Sequence, residues 1–364
     1  MADFFEIDFL GVETKKSGDA ISVRYEINGQ TYIHVVDGGY QATGEKMVRH
    51  IKAHYGNPDF INHVVVTHQD GDHAAGLPEV LRSFRVGALW MLRPWIYAPE
   101  IIHRFATYNS VDRLRSRLRS LFPYLAALED VANELGIPIY EPFQGAQIGA
   151  FTCLSPSKAT YFDLVVESDK TPEHIEEGAL ASAAETFLGK ASELMEKVVA
   201  FVAAAWGFEA FSPNETSNEN EMSVVQFANL CGKKVLLTGD AGRRSLGEAA
   251  DYAPMAGLAL PGIDRFQVPH HGSRRNVSTD LLDRWLGERL GVKPEKGQGT
   301  FTAIVSAAEA DSHHPRRSVV RAMIHRGADI VSTETGDKRT GYNAPARPNW
   351  VAAPYLDYPH DVEE

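Results

Sequence analysis

Cysteine is scarce in this chain: Cys153 and Cys231 are the only two among 364 residues. Both lie in apolar, strand-like surroundings that suit buried free thiols, and so few exclude a disulfide-stapled secreted scaffold. Long hydrophobic runs are also missing. The longest apolar stretch, Val198 to Trp206, is too short to span a bilayer. Met1-Ala2-Asp3-Phe4-Phe5-Glu6 has neither the basic region nor the apolar region of a signal peptide. No internal repeat is evident. Positive charge is in deficit, and the formal net charge of −12 argues against non-specific coating of nucleic acid. A local basic cleft stays compatible with that total, because the field at a site follows the distribution of charge. These absences lead to the expectation of a cytoplasmic protein with no membrane partner. The 44% hydrophobic content is enough for the large core of one decorated α/β domain.

Against that ordinary background, one segment stands out. Thr67-His68-Gln69-Asp70-Gly71-Asp72-His73-Ala74-Ala75-Gly76 follows the apolar run His63-Val64-Val65-Val66. The run reads as a buried strand, so four metal-capable side chains fall on the loop that leaves it. Loops held by a rigid sheet are where catalytic groups concentrate. One short loop of this kind can serve two neighbouring cations, which speaks for a metal-dependent hydrolase.

The rest of the chain alternates strands and helices. Phe4 to Leu10 reads as a first strand. Ala20 to Ile27 and Thr31 to Val36 flank Asn28-Gly29, a type I′ hairpin signal. Met47, Val48, Ile51 and Tyr55 keep helical spacing and stop at Gly56-Asn57-Pro58. A helix-rich insertion covers about residues 95–135, with Val111, Leu114, Leu118, Leu121 and Leu125 as its buried face. Arg113, Arg115, Arg117 and Arg119 flank that face and read as a solvated surface. A second helical insertion, about 156–215, contains Leu180, Phe187, Leu188, Leu194 and Met195, and suits either a lid or a dimer interface. Strands resume at Met222 to Ala228, Lys234 to Thr238, Phe266 to Pro269, Phe301 to Val305 and Ala328 to Thr333. Two strand-rich halves around a helical middle suit a two-sheet sandwich. The expectation is a single domain over residues 1–345, with an irregular tail at 346–364.

Three later strands also end on polar groups: Leu236-Leu237-Thr238-Gly239-Asp240, Val268-Pro269-His270-His271-Gly272-Ser273, and Val305-Ser306 leading to Asp311-Ser312-His313-His314-Pro315. With the first motif, in this order, the set resembles the metallo-β-lactamase fold superfamily. Within it, the set resembles the hydrolase domain of ComEC-type competence proteins. Ile7-Asp8-Phe9, Gly18-Asp19-Ala20 and Asp37-Gly38-Gly39 add to the likeness. It covers most of the chain outside the helical insertions and lacks the membrane channel region, as a free-standing soluble relative would.

The resemblance implies a four-layered αββα sandwich, an α/β fold, with two divalent transition-metal ions, zinc or manganese, at one sheet edge. His68 and Asp70 would bind the first metal, Asp72, His73 and His270 the second, and Asp240 would bridge them. Water shared between two such cations loses proton affinity and becomes a nucleophile near neutral pH. Asp72, Asp240 and His314 are the expected catalytic groups. His271, Ser273, Arg274 and Asp37 are expected to face substrate or support the ligands. Two departures from the superfamily pattern stand out. Asp70 replaces the usual second histidine, and the histidine that normally precedes the bridging aspartate is missing from Asn218 to Ser223. The first site is therefore oxygen-rich, which makes manganese a competitor of zinc. Spacing alone does not say which of His270 and His271 ligates. Neighbours on a strand face opposite ways, so one ring is expected at the metal, with His270 favoured. His34, His50, His54, His63, His103, His325 and His360 read as structural, with His50 and His54 on a polar helix face.

Arginine pairs follow three of the site loops: Arg243-Arg244, Arg274-Arg275 and Arg316-Arg317. Arginine suits phosphate oxygens, so a phosphodiester or another anionic ester is the expected substrate, and the ComEC-type resemblance favours a phosphodiester, with single-stranded DNA or a nucleotide as examples. The rival reading is that these arginines pair with the abundant acids. A lactone or β-lactam hydrolase on the same fold is the runner-up, and a metal-stabilised binding module the third. A homo-oligomer and an operon-encoded partner both stay open as company.

Overall fold

Strand β1 (Phe4–Phe9) buries all six of its residues, and its alternation sets the layering. Phe5, Ile7 and Phe9 join the main hydrophobic cluster. Glu6 and Asp8 face the opposite way, where Arg24, Arg339 and Arg347 bond Glu6, and Arg347 and Tyr55 bond Asp8. His50 Nε2 lies 3.3 Å from Asp8 and is buried, so its expected place on a polar helix face is corrected to this buried network. The strand is thus covered on both faces, as in a layered α/β protein.

The computed structural model describes residues 3–12, 15–168, 170 and 205–361. Among them, two seven-stranded sheets face each other. In the first, β14 (Lys338–Tyr342), β1, β2 (Ala20–Ile27), β3 (Gln30–Gly38), β4 (Phe60–Val65), β5 (Arg85–Trp90) and β6 (Ile139–Tyr140) follow in that order. In the second the order is β13 (Ala328–Ser332), β12 (Phe301–Val305), β11 (Arg265–Gln267), β10 (Lys233–Leu237), β9 (Val225–Leu230), β8 (Phe151–Ser155) and β7 (Gln147–Ile148). Strands β3 to β6 are parallel, and so are β10 to β13.

Local chemistry explains the elements. Asn28 and Gly29 both have positive φ, 53° and 76°, as the type I′ turn requires. Helix Gln41–His54 buries Met47, Val48 and Ile51 and stops where Gly56 and Asn57 turn left-handed. Helices Val111–Leu121 and Pro123–Leu135 occupy the expected insertion, burying Leu114, Leu118 and Leu125. Arg115 pairs with Asp112, and Arg119 with Glu129 and Asp130. Sequence reading missed β5 and β14. Gly87 interrupts the apolar pattern of β5, yet a Cβ there would lie 2.7 Å from Asn62 O. The polar β14 pairs with β1, and its Arg339 serves Glu6.

The second expected insertion contributes helix Lys158–Glu167. Its apolar positions Leu180, Phe187, Leu188, Leu194 and Met195 lie outside the described residues. One cluster fills the space between the sheets and under the helices of the first, and another packs helices Arg243–Tyr252, Thr279–Leu286 and Arg317–His325 on the second. The result is the expected αββα layering. No described helix is long and apolar enough to cross a membrane.

Candidate metal centre

Parallel strands end on the same edge, so the loops after β3, β4, β10, β11 and β12 gather at one rim. Backbone bonds knit the two sheets there. Val224 N donates across them to Thr67 O at 3.0 Å, and within the second sheet His270 N donates to Gly239 O at 3.2 Å. Beyond β4, residues Gly71–Ala74 form a single helical turn. Its close packing depends on Gly76, where a Cβ would sit 2.1 Å from Gly38 O and 2.7 Å from Tyr40 O.

Asp240 lies at the centre. Its Oδ1 is 3.3 Å from His73 Nε2 and 3.8 Å from His271 Nε2. Its Oδ2 is 3.6 Å from His270 Nε2 and 3.9 Å from His68 Nε2. Asp72 Oδ2 stands 3.6 Å from His271 Nε2 and 3.9 Å from His73 Nε2, whereas Asp70 Oδ2 stands 3.7 Å from His68 Nε2. The six residues expected as ligands, His68, Asp70, Asp72, His73, Asp240 and His270, therefore converge, together with His271.

The far edge of each ring is held by protein. His73 Nδ1 bonds Asp37 Oδ2 at 2.8 Å; the same oxygen accepts from Thr67 Oγ1, and Oδ1 accepts from Thr67 N. His68 Nδ1 meets Thr67 Oγ1 at 3.1 Å. His271 Nδ1 donates to Ser306 O at 2.9 Å, and His270 Nδ1 bonds Asn276 Oδ1 at 2.9 Å. These partners fix Nε2 as the edge that points inward.

Inward, the atoms have no protein partner. His68 Nε2, His73 Nε2, His271 Nε2 and Asp240 Oδ1 are buried without a hydrogen bond among the described residues. Leaving such groups unpaired is costly, and imidazole nitrogens with carboxylate oxygens are the donor set of divalent transition metals. His68, His73 and Asp240 form one group with ligand-competent spacing, and Asp72, His73 and His271 another. The residues present fit two cations.

Electrostatics agrees. Burial alone would lower His271, but Asp240, Asp72 and Asp19 win and push it up to about 9. Burial opposes the charged form of Asp70, yet His68 and Lys170 hold its carboxyl well below the usual range. Carboxylates here outnumber permanent cations, and Lys170 is the ammonium in reach, 3.0 Å from Asp70 Oδ1.

The adjacent histidines depart from expectation in an informative way. The chain is no longer a strand at this point, because His270 and His271 both have positive φ, 46° and 55°. Two left-handed residues in a row turn both rings toward Asp240 instead of placing them on opposite faces. Strain of this kind concentrates at functional sites. His271, and not the favoured His270, is the one grouped with Asp72 and His73; His270 lies on the His68 side.

Ser273 serves the turn: its N donates to His270 O, and its Oγ accepts from Arg275 N. Arg274 lends its carbonyl to Ser212 N. His314 stacks 5.7 Å from the His270 ring, and its Nδ1 is 3.1 Å from Asp311, which Ser17 anchors. Sequence reasoning missed Asn220, Asn276 and Asp19. Asn220 occupies the stretch that lacks the usual histidine and touches His270 Nδ1 at 3.2 Å. Asn276 also donates to Asp240 O. Neither amide carries a sequence signal, whereas Asp19 was visible in Gly18-Asp19-Ala20 as part of the resemblance.

The family profile described as Metallo-beta-lactamase superfamily matches residues 21–142. No curated protein matches the chain. Among solved structures, the chain is similar to a putative metallo-beta-lactamase from Thermotoga maritima, with 12% identity, TM-score 0.30 and coverage of 70% of this chain and 86% of that one. It is similar to a diphosphatase from the PhnP family, with 10% identity, TM-score 0.36 and coverage of 93% and 97%. It is also similar to AidC, a dizinc quorum-quenching lactonase, with 8% identity, TM-score 0.29 and coverage of 61% and 56%. The chain spans 56% of AidC and of AbOPH, a hydrolase in the beta lactamase superfamily. Together, the profile match, the two layered sheets and the helices on them give this chain the metallo-β-lactamase fold, with converging donors at its rim that fit two metal ions.

Proposed function

We propose that the chain hydrolyses a phosphodiester or a closely related anionic ester at a dinuclear centre. The observation that carries this reading is the set of buried, unpartnered atoms of His68, His73, His271 and Asp240 meeting at one point. In this reading His68, Asp70, His270 and Asp240 would hold one cation, and Asp72, His73, His271 and Asp240 would hold the other. Bound there, the pair supplies Lewis acidity to the scissile group and acidity to a water.

The chain's own residues do the remaining work. Asp72 and Asp240 orient the attacking water and accept from it. His314, steadied by Asp311, presents its other ring edge to the leaving oxygen. Burial and the neighbouring His271 push it down to about 4 against the pull of Asp311, so its doubly protonated form is the minor one at neutral pH, and that form donates the proton that oxygen needs. Attack forms a new P–O bond to the water oxygen and breaks the P–O bond to the leaving alcohol.

Support for an anionic substrate comes from Lys170, half-exposed at the mouth beside Asp70, and from the ComEC-type resemblance of the site motifs. The arginine pairs support it less than their sequence positions suggest. Arg244 pairs with Asp163 and Glu167, Arg317 with Asp361, and Arg243 holds the carbonyls of Ser212 and Val277. The two cysteines are free, as a reducing compartment such as the cytoplasm would keep them.

The test is a substrate panel with metal-loaded protein. Metal-dependent cleavage of bis(p-nitrophenyl) phosphate or single-stranded DNA is expected, with binding that weakens steeply as salt rises. Turnover of a lactone with no action on either phosphodiester would replace this reading with the lactonase one.

A further inference from the structure

Asp19 is a buried carboxylate with no assigned role, and its surroundings point to one. It sits just before β2 and is 1% exposed. Its backbone is tied into the metal motif: N donates to Asp72 O at 3.1 Å, and O accepts from Gly39 N at 2.7 Å. Gly18 allows the approach, since a Cβ there would lie 2.7 Å from Asp72 O. One carboxylate oxygen, Oδ2, accepts from Gln267 Nε2 at 3.0 Å. The same Gln267 accepts from Thr238 N and Gly239 N, the residues leading into Asp240. Asp19 is therefore fixed in register with both Asp72 and Asp240.

Its other oxygen, Oδ1, is buried and makes no hydrogen bond of good geometry among the described residues, although the Ser306 hydroxyl, unpartnered as well, lies near the carboxylate. Orienting a histidine does not account for it. His73 Nδ1 already bonds Asp37 at 2.8 Å and is 3.9 Å from Asp19. His271 Nδ1 already donates to Ser306 O. Beyond the Ser306 hydroxyl, what lies in reach is the inward space: Asp19, Asp240 and His271 bring ligand atoms within 4.8 Å of one another. Asp240 Oδ1 and His271 Nε2 are themselves unpartnered.

We infer that Asp19 is a further metal ligand, on the side of Asp72, His73 and His271. That side then offers three carboxylates and two imidazoles. Five protein donors exceed the four of a tetrahedral zinc site. A hard, oxygen-rich set of higher coordination number suits manganese(II) better than zinc. The inference rests on the dinuclear reading above and assigns the metal preference of one of its two sites.

Calorimetric titration of the chelator-stripped full chain with Mn(II) and with Zn(II) tests it. Wild type is expected to take up about two equivalents of Mn(II). Asp19→Asn is expected to weaken one of them by about 10- to 100-fold, the size of effect seen when a metal site loses a supporting group. The loss for Zn(II) should be smaller, so the Mn/Zn preference falls. A second readout separates ligand from scaffold. Removing one of several crowded carboxylates should leave the stripped protein at least as heat-stable as wild type, whereas a structural Asp19 would leave it less stable. Asp19→Ser, smaller and uncharged, is the companion variant if the asparagine form does not fold. Unchanged Mn(II) affinity in either folded variant overturns the assignment, as does loss of both equivalents together with loss of stripped-protein stability. Wild type that takes up no metal sinks the dinuclear reading itself and is distinguishable from both.

Discussion

At the scale of single residues, the site works by giving every histidine two different edges. Asp37, Thr67, Ser306 and Asn276 hold the outer nitrogens, and the inner ones are left for cations. Asp37 is the strongest of these supports because it is charged, buried and bonded to both His73 and Thr67. Asp37→Asn is expected to weaken metal binding by about 10- to 100-fold, measured by competition with a chromogenic chelator. Unchanged affinity would show that His73 needs no orienting carboxylate. His314 offers a second check. If it protonates the leaving oxygen, His314→Gln should slow cleavage of a poor leaving group, such as the sugar alcohol of DNA, by about 100-fold or more. Cleavage of a p-nitrophenyl ester, whose leaving group needs no proton, should change little. Equal losses on both substrates would argue against the proton-donor role.

At the scale of elements, what the sequence revealed was the ends of strands. His68, Asp240, His270 and Ser306 each follow an apolar run, so periodicity placed them at strand ends, and the family resemblance implied one common sheet edge. It could not place the two adjacent histidines, because the rule of alternating faces fails where φ turns positive at both. Nor could it find Asn220 and Asn276, whose amides matter only through contacts made after folding. The arginine pairs misled for a related reason: sequence shows that Arg243, Arg244 and Arg317 follow site loops but not that acids and carbonyls elsewhere claim them. β14 was missed because its outward residues are polar to serve Glu6. The metal-motif turn packs through glycine alone at Gly76, and Gly44 meets it with a Cβ position only 2.1 Å from Gly76 O. Gly76→Ala is therefore expected to destabilise the fold by about 1–3 kcal/mol, the usual cost of overpacking, and to disturb metal uptake with it. Chemical denaturation would report a lower midpoint; an unchanged midpoint would mean that the crossing can relax.

At the scale of the whole molecule, the fold is fastened at places far apart. One is the metal rim. Another is a buried network in which Glu209 meets Arg326 and His325, beside Asp283, Thr279 and Tyr358. It ties the segment before β9 and the C-terminal tail to helix Arg317–His325, which begins just after His314. Burial alone would raise Glu209, but hydrogen bonds from His325 and Arg326 prevail and hold it down at about 2, against an ordinary 4.5. A depressed carboxylate contributes stability that is fully present above its unfolded value and is lost as pH falls through the folded one. The protein should therefore lose this contribution between about pH 4.5 and pH 2. Glu209→Gln should remove that part of the acid dependence and cost about 1.5–3 kcal/mol at neutral pH, because buried Arg326 loses one of its two carboxylate partners and keeps Asp283. Thermal melts across pH would check both statements, and a variant as stable as wild type at pH 7 would refute the second.

The central claim, that side chains from both sheets converge to hold two cations, has a direct measurement. Elemental analysis of purified protein, stripped and then reloaded with manganese or zinc, should find about two ions per chain in wild type and clearly fewer in Asp240→Asn, with both proteins folded. Wild-type protein that retains no metal under any loading condition would contradict the account.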